Sequence, residues 1–268
     1  MRDLGGQTAI VTGAGAGIGR GIARVLAAEG AAVVTVDLDP ERAEGAASAI
    51  VADGGRALAV VADVAKAADV ARVVDAAREW GGGVEILASN VGIYPTAPLE
   101  SIEEESWDRV MAVNVRSAFL LMRLVLPLMR DQVYGRVVVT SSITGPLTAM
   151  PTLSHYAASK AALLGLVRAA ALEYAGAGVT VNAVLPGTVD TEGLRAAGGE
   201  DYVDLMLPSI PVGRLARSED VGWVVRMLAA PEAAYLTGVG VPVDGGQTLP
   251  EGRLPAEAIA AVTAGSDS

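Results

Sequence analysis

The sequence predicts one α/β domain: a doubly wound parallel sheet of about seven strands with helices on both faces. Three observations predict it. Short β-branched runs alternate with longer Ala/Leu/Arg/Glu segments almost to the C-terminus. The runs are apolar at successive positions, as in VVTVD and RVVVTSS, which suits strands buried on both faces. The 268 residues are 51% hydrophobic, enough for a sizeable core, and no Pro/Ser linker or composition shift divides the chain. Residues 1–248 therefore read as a single domain and 249–268 as a C-terminal tail. Strand–helix alternation at this spacing implies right-handed crossovers.

The first strand, Thr8–Thr12, runs straight into Thr12-Gly13-Ala14-Gly15-Ala16-Gly17-Ile18-Gly19, with a helix over Gly17–Gly30 behind it. Glycines there permit a tight turn and let backbone N–H groups approach a pyrophosphate at the positive helix end. A Gly-rich loop alone is weak evidence in a chain with 32 glycines; its place between strand and helix makes it a dinucleotide-loop candidate of Rossmann type. A P-loop is excluded, because no Lys-Ser or Lys-Thr closes it. The second strand, Ala32–Asp37, ends on a carboxylate 20 residues after Gly17. Such a group can accept bonds from both adenosine ribose hydroxyls and repel a 2′-phosphate, which favours NAD over NADP. Its plainer role is to cap the turn before Asp39-Pro40 and a helix over Glu41–Asp53.

The third strand, Ala57–Val61, leads through Asp63-Val64 to a helix over Ala67–Trp80, and the fourth, Ile86–Ser89, leads to one long helix over Ile102–Arg130. The fifth, Arg136–Ser141, precedes a helix over Ser154–Gly176; the sixth is Val179–Leu185. A helix over Ser218–Ala230 and a strand at Val239–Val243 complete the alternation. Thr188–Leu215 is long for a connection and reads as a lid. The tail ends in a polar terminus, with Pro255–Ala264 able to form a short helix.

Composition narrows the function. A net charge of -11 argues against nucleic acid or anionic membranes as partners. Zero cysteines remove disulfides, thiolate sites and cysteine nucleophiles, and the single histidine, His155, removes metal sites that need two imidazoles. No metal is expected. No stretch near the N-terminus has the order of a signal peptide, and the most apolar run, Ala161–Leu185, is broken by Arg168 and Glu173. The expectation is a cytoplasmic protein.

The Gly-rich loop and the acid after strand two also fit S-adenosylmethionine methyltransferases, so the second half of the chain decides. Tyr156 and Lys160 are four apart at a helix start and share a face. With six tyrosines and two lysines in the chain, chance would supply about 0.04 such pairs. Beside a lysine and a nicotinamide cation, a phenol can ionise nearer neutrality and serve as acid/base for a carbonyl/alcohol pair.

With these residues in hand, the chain resembles the short-chain dehydrogenase/reductase family over about residues 5 to 247. TGxxxGxG matches Thr12–Gly19 and YxxxK matches Tyr156–Lys160. Asp63-Val64, the helix asparagine Asn114, the P-G-x-x-x-T run from Pro186 to Thr191 and the closing V-D-G-G, Val243–Gly246, follow in order. The resemblance is nearest to the branch labelled 3-oxoacyl-carrier-protein reductase.

The resemblance implies a role for each matching position. Tyr156 would be the acid/base, Lys160 would lower its pKa and bind the nicotinamide ribose, and Ser142 would stabilise the substrate oxygen. Asn114 would hold a water that links Lys160 to solvent. Gly13, Gly17, Ile18 and Gly19 would contact NAD in the loop, with Asp37 and Leu38 at its adenosine end. Asp63 would bond the adenine amino group beside Val64, Asn90 and Gly92 would line the cofactor, and Val189 and Thr191 would meet the carboxamide. The family's usual N-N-A-G is Ser89-Asn90-Val91-Gly92 here, so only its second Asn and its Gly carry over. Ser141 and Ser142 point to opposite faces, and the S-x-x-G pattern with Gly145 selects Ser142. The gap from Ser142 to Tyr156 is about one residue longer than usual, which implies a longer loop over the site.

The leading expectation is an NAD-dependent, metal-independent oxidoreductase acting on a secondary alcohol or ketone. Alternatives are an NADP-dependent 3-oxoacyl-carrier-protein reductase, against which Asp37 counts, and a non-catalytic NAD-binding regulator, which would not need the proton donor. A Ser–His–Asp hydrolase would have to use His155, but G-x-S-x-G is absent; His155 reads as a pocket wall or rim residue, or merely as one that starts a helix. The substrate pocket is expected from Tyr94–Leu99, Ile143–Ser154 and Val189–Leu215, with Arg195, Arg214 and Arg217 as its basic candidates. The apolar segments Phe119–Met129 and Ala157–Ala175 exceed what one sheet can cover. They imply a homotetramer, with Leu120, Leu124, Leu164 and Val167 near the first seam.

Overall fold

A computed structural model describes residues 3–250, with backbone alone for 197–202. Seven parallel strands form one sheet: β1 (Thr8–Thr12), β2 (Ala32–Asp37), β3 (Arg56–Val61), β4 (Ile86–Ser89), β5 (Gly135–Thr140), β6 (Val179–Pro186) and β7 (Gly240–Val243). Their spatial order is β3-β2-β1-β4-β5-β6-β7. The order reverses between β1 and β4, and a crevice opens there at the C-terminal strand ends, where doubly wound sheets bind ligands. Registers such as Thr12↔Val36 and Val11↔Ala88 bring the ends of β1, β2 and β4 level around that crevice.

Alternation along each strand feeds two cores. Ile10, Val34, Leu87, Val137 and Val139 face one side, under α3 (Ala67–Gly81), α5 (Ser117–Asp131) and α6 (Ser154–Tyr174). Val11, Val33, Ile86, Val138 and Val184 face the other, under α1 (Gly17–Ala28), α2 (Pro40–Ala52) and α8 (Ser218–Ala229). Each fully buried Ile or Leu contributes about 1.5–3 kcal/mol relative to exposure. Arg226 on α8 is buried against Glu29 at the end of α1, with Nε donating at 2.7 Å, so a charge pair joins the two helices that cover this face.

Strands and helices lie within a residue or two of their sequence positions, with two exceptions. The expected single helix over Ile102–Arg130 divides into α4 (Glu104–Met111), a π turn (Ala112–Arg116) and α5. The expected lid contains a helix, α7 (Glu192–Met206), which begins where the Thr191 hydroxyl accepts from Leu194 N–H at 3.1 Å. Gly198 and Gly199 hide it, since each costs about 1 kcal/mol against Ala in a helix. Among the described residues, one helical run, Glu104–Asp131, is long and apolar enough to cross a membrane by length and composition; half of an 18-residue apolar stretch within it is buried inside the fold. The Ala161–Leu185 run is shared between α6 and β6. Pro255–Ala264 lies outside the described residues.

Candidate active site

The loop between β1 and α1 is shaped by close approach. Gly13 has φ +63°, and a Cβ on Gly19 would collide with the Gly13 carbonyl, so the first turn of α1 lies directly on the loop. Asp37 reaches across from β2. Its Oδ2 accepts from Gly15 N–H at 3.0 Å and its Oδ1 accepts from Asp39 N–H at 3.1 Å. The carboxylate therefore does cap its own turn, and it also braces the loop. Leu38 is exposed beside it, and Ile18 is half-buried against the second core. Asn90 ties β4 to the loop: its backbone N–H donates to Thr12 Oγ1 at 3.0 Å and its Nδ2 donates to Thr12 O at 3.2 Å.

On the other side of the crevice, helical spacing presents Tyr156 and Lys160 together, with Lys160 Nζ 5.7 Å from the Tyr156 ring centroid. Lys160 is buried, and its Nζ donates to Thr140 O at 2.8 Å. Burial lowers its pKa to about 8. A Cβ on Gly92 would sit 3.1 Å from that Nζ, so glycine leaves room for the ammonium at the end of β4.

The two serines part as alternation requires. Ser141 Oγ donates to Lys160 O at 2.8 Å and is committed to α6, while Ser142 Oγ accepts from Thr144 N–H at 3.0 Å. The Ser142 proton is not used in that contact. Asn114 lies in the π turn and is buried. Its Nδ2 donates to Ile93 O at 3.0 Å and Ser159 Oγ at 2.9 Å, and its Oδ1 accepts from Ile93 N–H at 2.8 Å. Both amide protons are spent on protein, so the side chain pins the loop after β4 to α6.

Asp63 Oδ1 accepts from Ala65 N–H at 3.1 Å, and Val64 is buried. Val189 is buried next to the bridge it forms with Ala216. The Thr191 hydroxyl caps α7 and its methyl group faces Gly17, so in this arrangement its oxygen is occupied locally.

A cavity of about 720 Å³ opens over this region, lined in part by Gly92, Tyr94, Glu105, Arg109, Gly193 and Ala196. The first and last expected pocket segments contribute to it, but Ile143–Ser154 does not, and α4 does. Arg195, Arg214 and Arg217, the basic candidates for the pocket, are each paired with a carboxylate. Arg195 forks onto Asp190 at 2.7 and 2.9 Å, and Asp220 accepts from Arg214 and lies 3.8 Å from Arg217. Each arginine holds its partner carboxyl below the usual range. His155 is wholly buried, not at a rim, and neither ring nitrogen has a hydrogen-bond partner among the described residues. No cluster of three or more metal-ligating side chains occurs among the described residues.

Two residues of this region were not singled out from sequence. Tyr94 meets Tyr156 edge to face, with centroids 6.0 Å apart, and burial pushes its phenol up. Glu192, at the start of α7, accepts from Gly17 N–H at 3.2 Å. Its signal was an acid at the first position of a helix, which favours the positive end, but that helix was itself unseen.

Comparison with known proteins identifies the family and its fold. The family model described as enoyl-(acyl carrier protein) reductase matches residues 13–248. The oxidoreductase UcpA of Escherichia coli (strain K12) is 39% identical over 258 residues, covering 94% of this chain and 98% of that protein. The 2-(S)-hydroxypropyl-CoM dehydrogenase 3 of Xanthobacter autotrophicus is 37% identical over 250 residues, covering 91% and 98%. A solved short-chain type dehydrogenase/reductase from Mycobacterium marinum superposes with a TM-score of 0.88 at 33% identity, covering 92% of this chain and 98% of that one. With a family match over most of its length, relatives well above 30% identity and a shared seven-stranded sheet, the chain belongs to the short-chain dehydrogenase/reductase family of oxidoreductases, which use a nicotinamide cofactor.

Proposed function

We propose that this protein is an NAD-dependent, metal-independent oxidoreductase that interconverts a secondary alcohol and a ketone, with Tyr156 as general acid/base. The observation that carries the reading is the Tyr156–Lys160 pair, set against Tyr94 and Gly92 of the cavity wall. The residues around that crevice suit a dinucleotide: the glycine loop admits close backbone approach, the α1 N-terminus already accepts a carboxylate, and Asp37 stands at the end of β2.

When bound, the nicotinamide accepts or supplies the hydride. The protein moves the proton. In oxidation, the Tyr156 phenolate takes the proton of the alcohol hydroxyl; in reduction, its phenol returns one to the carbonyl oxygen. The Lys160 ammonium favours the phenolate by charge, and its bond to Thr140 O keeps it in place. Ser142 Oγ donates to the substrate oxygen as negative charge develops there. Asn114 orients these groups by fixing Ile93 and Ser159, one on each side.

Asp37 supports NAD over NADP, because its carboxylate repels a 2′-phosphate. The reading of an NADP-dependent acyl-carrier-protein reductase draws on the family model's description, and Asp37 weighs against it. A non-catalytic NAD-binding regulator is disfavoured, because it would need neither Tyr156 nor Ser142. The partner is a small carbonyl or alcohol compound, not nucleic acid or a membrane, in line with the net charge of -11. We also assign the protein to the cytoplasm and to a homotetramer.

The test is a panel of secondary alcohols and ketones followed by NADH absorbance, with NAD and NADP in parallel, for the parent and Tyr156→Phe. Tyr156→Phe should still bind NADH while turnover falls roughly 10²-fold or more. Undiminished turnover in that variant overturns the mechanism, and tighter binding of NADPH than NADH by the parent overturns the cofactor assignment.

A further inference from the structure

Glu192 joins two elements that are far apart in sequence. It is the first residue of α7, yet its Oε2 accepts from Gly17 N–H, the first amide of α1, at 3.2 Å, and its Oε1 pairs with Arg20 in that helix's first turn. Ala16, at the N-cap of α1, offers no side-chain cap, so a carboxylate from 175 residues away does that work. Thr191 packs its methyl group toward Gly17, so the start of α7 is seated directly on the Gly-rich loop. A hydrogen bond from its own backbone N–H and the Arg20 guanidinium hold the Glu192 carboxyl below its usual range, against an opposing push from burial. It is an anion at neutral pH.

We propose that Glu192 is an internal stand-in for the cofactor's pyrophosphate, latching the start of α7 to α1 and competing with the dinucleotide for the Gly17 N–H and Arg20. The proposal rests on the dinucleotide reading of the loop. A helix N-terminus stabilises one anion, and a second brought to the same amide is repelled by the first. Binding therefore exchanges the Glu192 carboxylate for a phosphate oxygen, frees Arg20 to face the phosphate, and releases the α7 start from the loop. Glu192 is thus a positioning residue: it lowers cofactor affinity and couples cofactor arrival to the element that roofs the cavity. Its chemistry is complete without any covalent step.

The test compares the full-length parent with Glu192→Gln, which keeps the shape and removes the charge, and with Glu192→Ala. NADH affinity is read by fluorescence titration. Adenosine, which carries no phosphate, is read by calorimetry. Both variants should bind NADH roughly 3- to 10-fold more tightly, with adenosine affinity unchanged. A merely structural Glu192 would weaken both ligands together. NADH binding that is equal or weaker in both variants overturns the latch and leaves the dinucleotide reading intact. A parent chain that binds neither NADH nor NADPH overturns the reading beneath it.

Discussion

At the scale of single residues, the proposed mechanism turns on Lys160. Its pKa of about 8, against 10.5 for a lysine in water, means that the unfolded chain holds this proton over a pH range in which the native chain has released it. Between about pH 8 and 10.5 the unfolded state binds more protons, so this group's contribution to stability improves as pH rises, and below 8 its penalty is constant. Subtracting the Tm of Lys160→Met from that of the parent should give a difference that climbs across that window. A flat difference would show that the ammonium is not perturbed by burial. Tyr156 and Lys160 were legible in sequence because four residues make one helical turn. The separation of Ser141 from Ser142 was legible because strands alternate. The Asn114 contacts were not: a hydrogen bond to Ile93, 21 residues earlier, has no sequence pattern.

At the scale of elements, two departures from the sequence pattern both serve the site. The apolar periodicity of 102–130 reads as one helix, yet the chain widens to a π turn at Ala112–Arg116, a form that recurs at functional sites. The turn turns Asn114 inward, where its three side-chain bonds hold Ile93 and Ser159. Asn114→Ala should remove all three and cost about 2–4 kcal/mol of stability, measured by urea unfolding. Tyr156 and the loop after β4 lose a shared brace, so turnover should fall with the stability. A loss below about 0.5 kcal/mol would mean that the π turn is held by packing alone. The second departure is α7. Its glycines lower helix propensity; Thr191 caps its start locally, and a contact with α1 that no local window contains seats that start on the Gly-rich loop.

At the scale of the whole molecule, the apolar side chains left exposed are not the ones the sequence indicated. Leu120 and Val167 are buried within one chain, and Leu124 and Leu164 pack against the core, so four residues assigned to a seam largely serve the monomer's own interior. Exposed apolar side chains include Trp107 on α4, Phe119 on α5 and Leu172 on α6, while Trp223, Tyr235 and Leu236 are exposed on α8 and the approach to β7. Covering both sets is what a tetramer with 222 symmetry does. Light scattering should give a mass of about four 27.1 kDa chains. A dilute, active monomer would show that these side chains tolerate water.

What the sequence by itself determined is whatever local periodicity and short motifs encode: seven strands, the helices between them, the Gly-rich loop, the acid at Asp37 and the Tyr156–Lys160 face. Those signals lie within a few residues of one another, and backbone geometry converts spacing into direction. Only the tertiary structure decided the π turn, the pairing of Arg195, Arg214 and Arg217 with acids, and the seat of Glu192 on α1. The π turn and the seat of Glu192 depend on groups brought together by the crossovers of the sheet, some of them more than 100 residues apart. The arginine pairs form within a few residues, but they depend on which side-chain geometry the packed loop permits. Pairwise contacts of these kinds have no periodic trace in a linear sequence, because their energy appears only once the chain has closed around them.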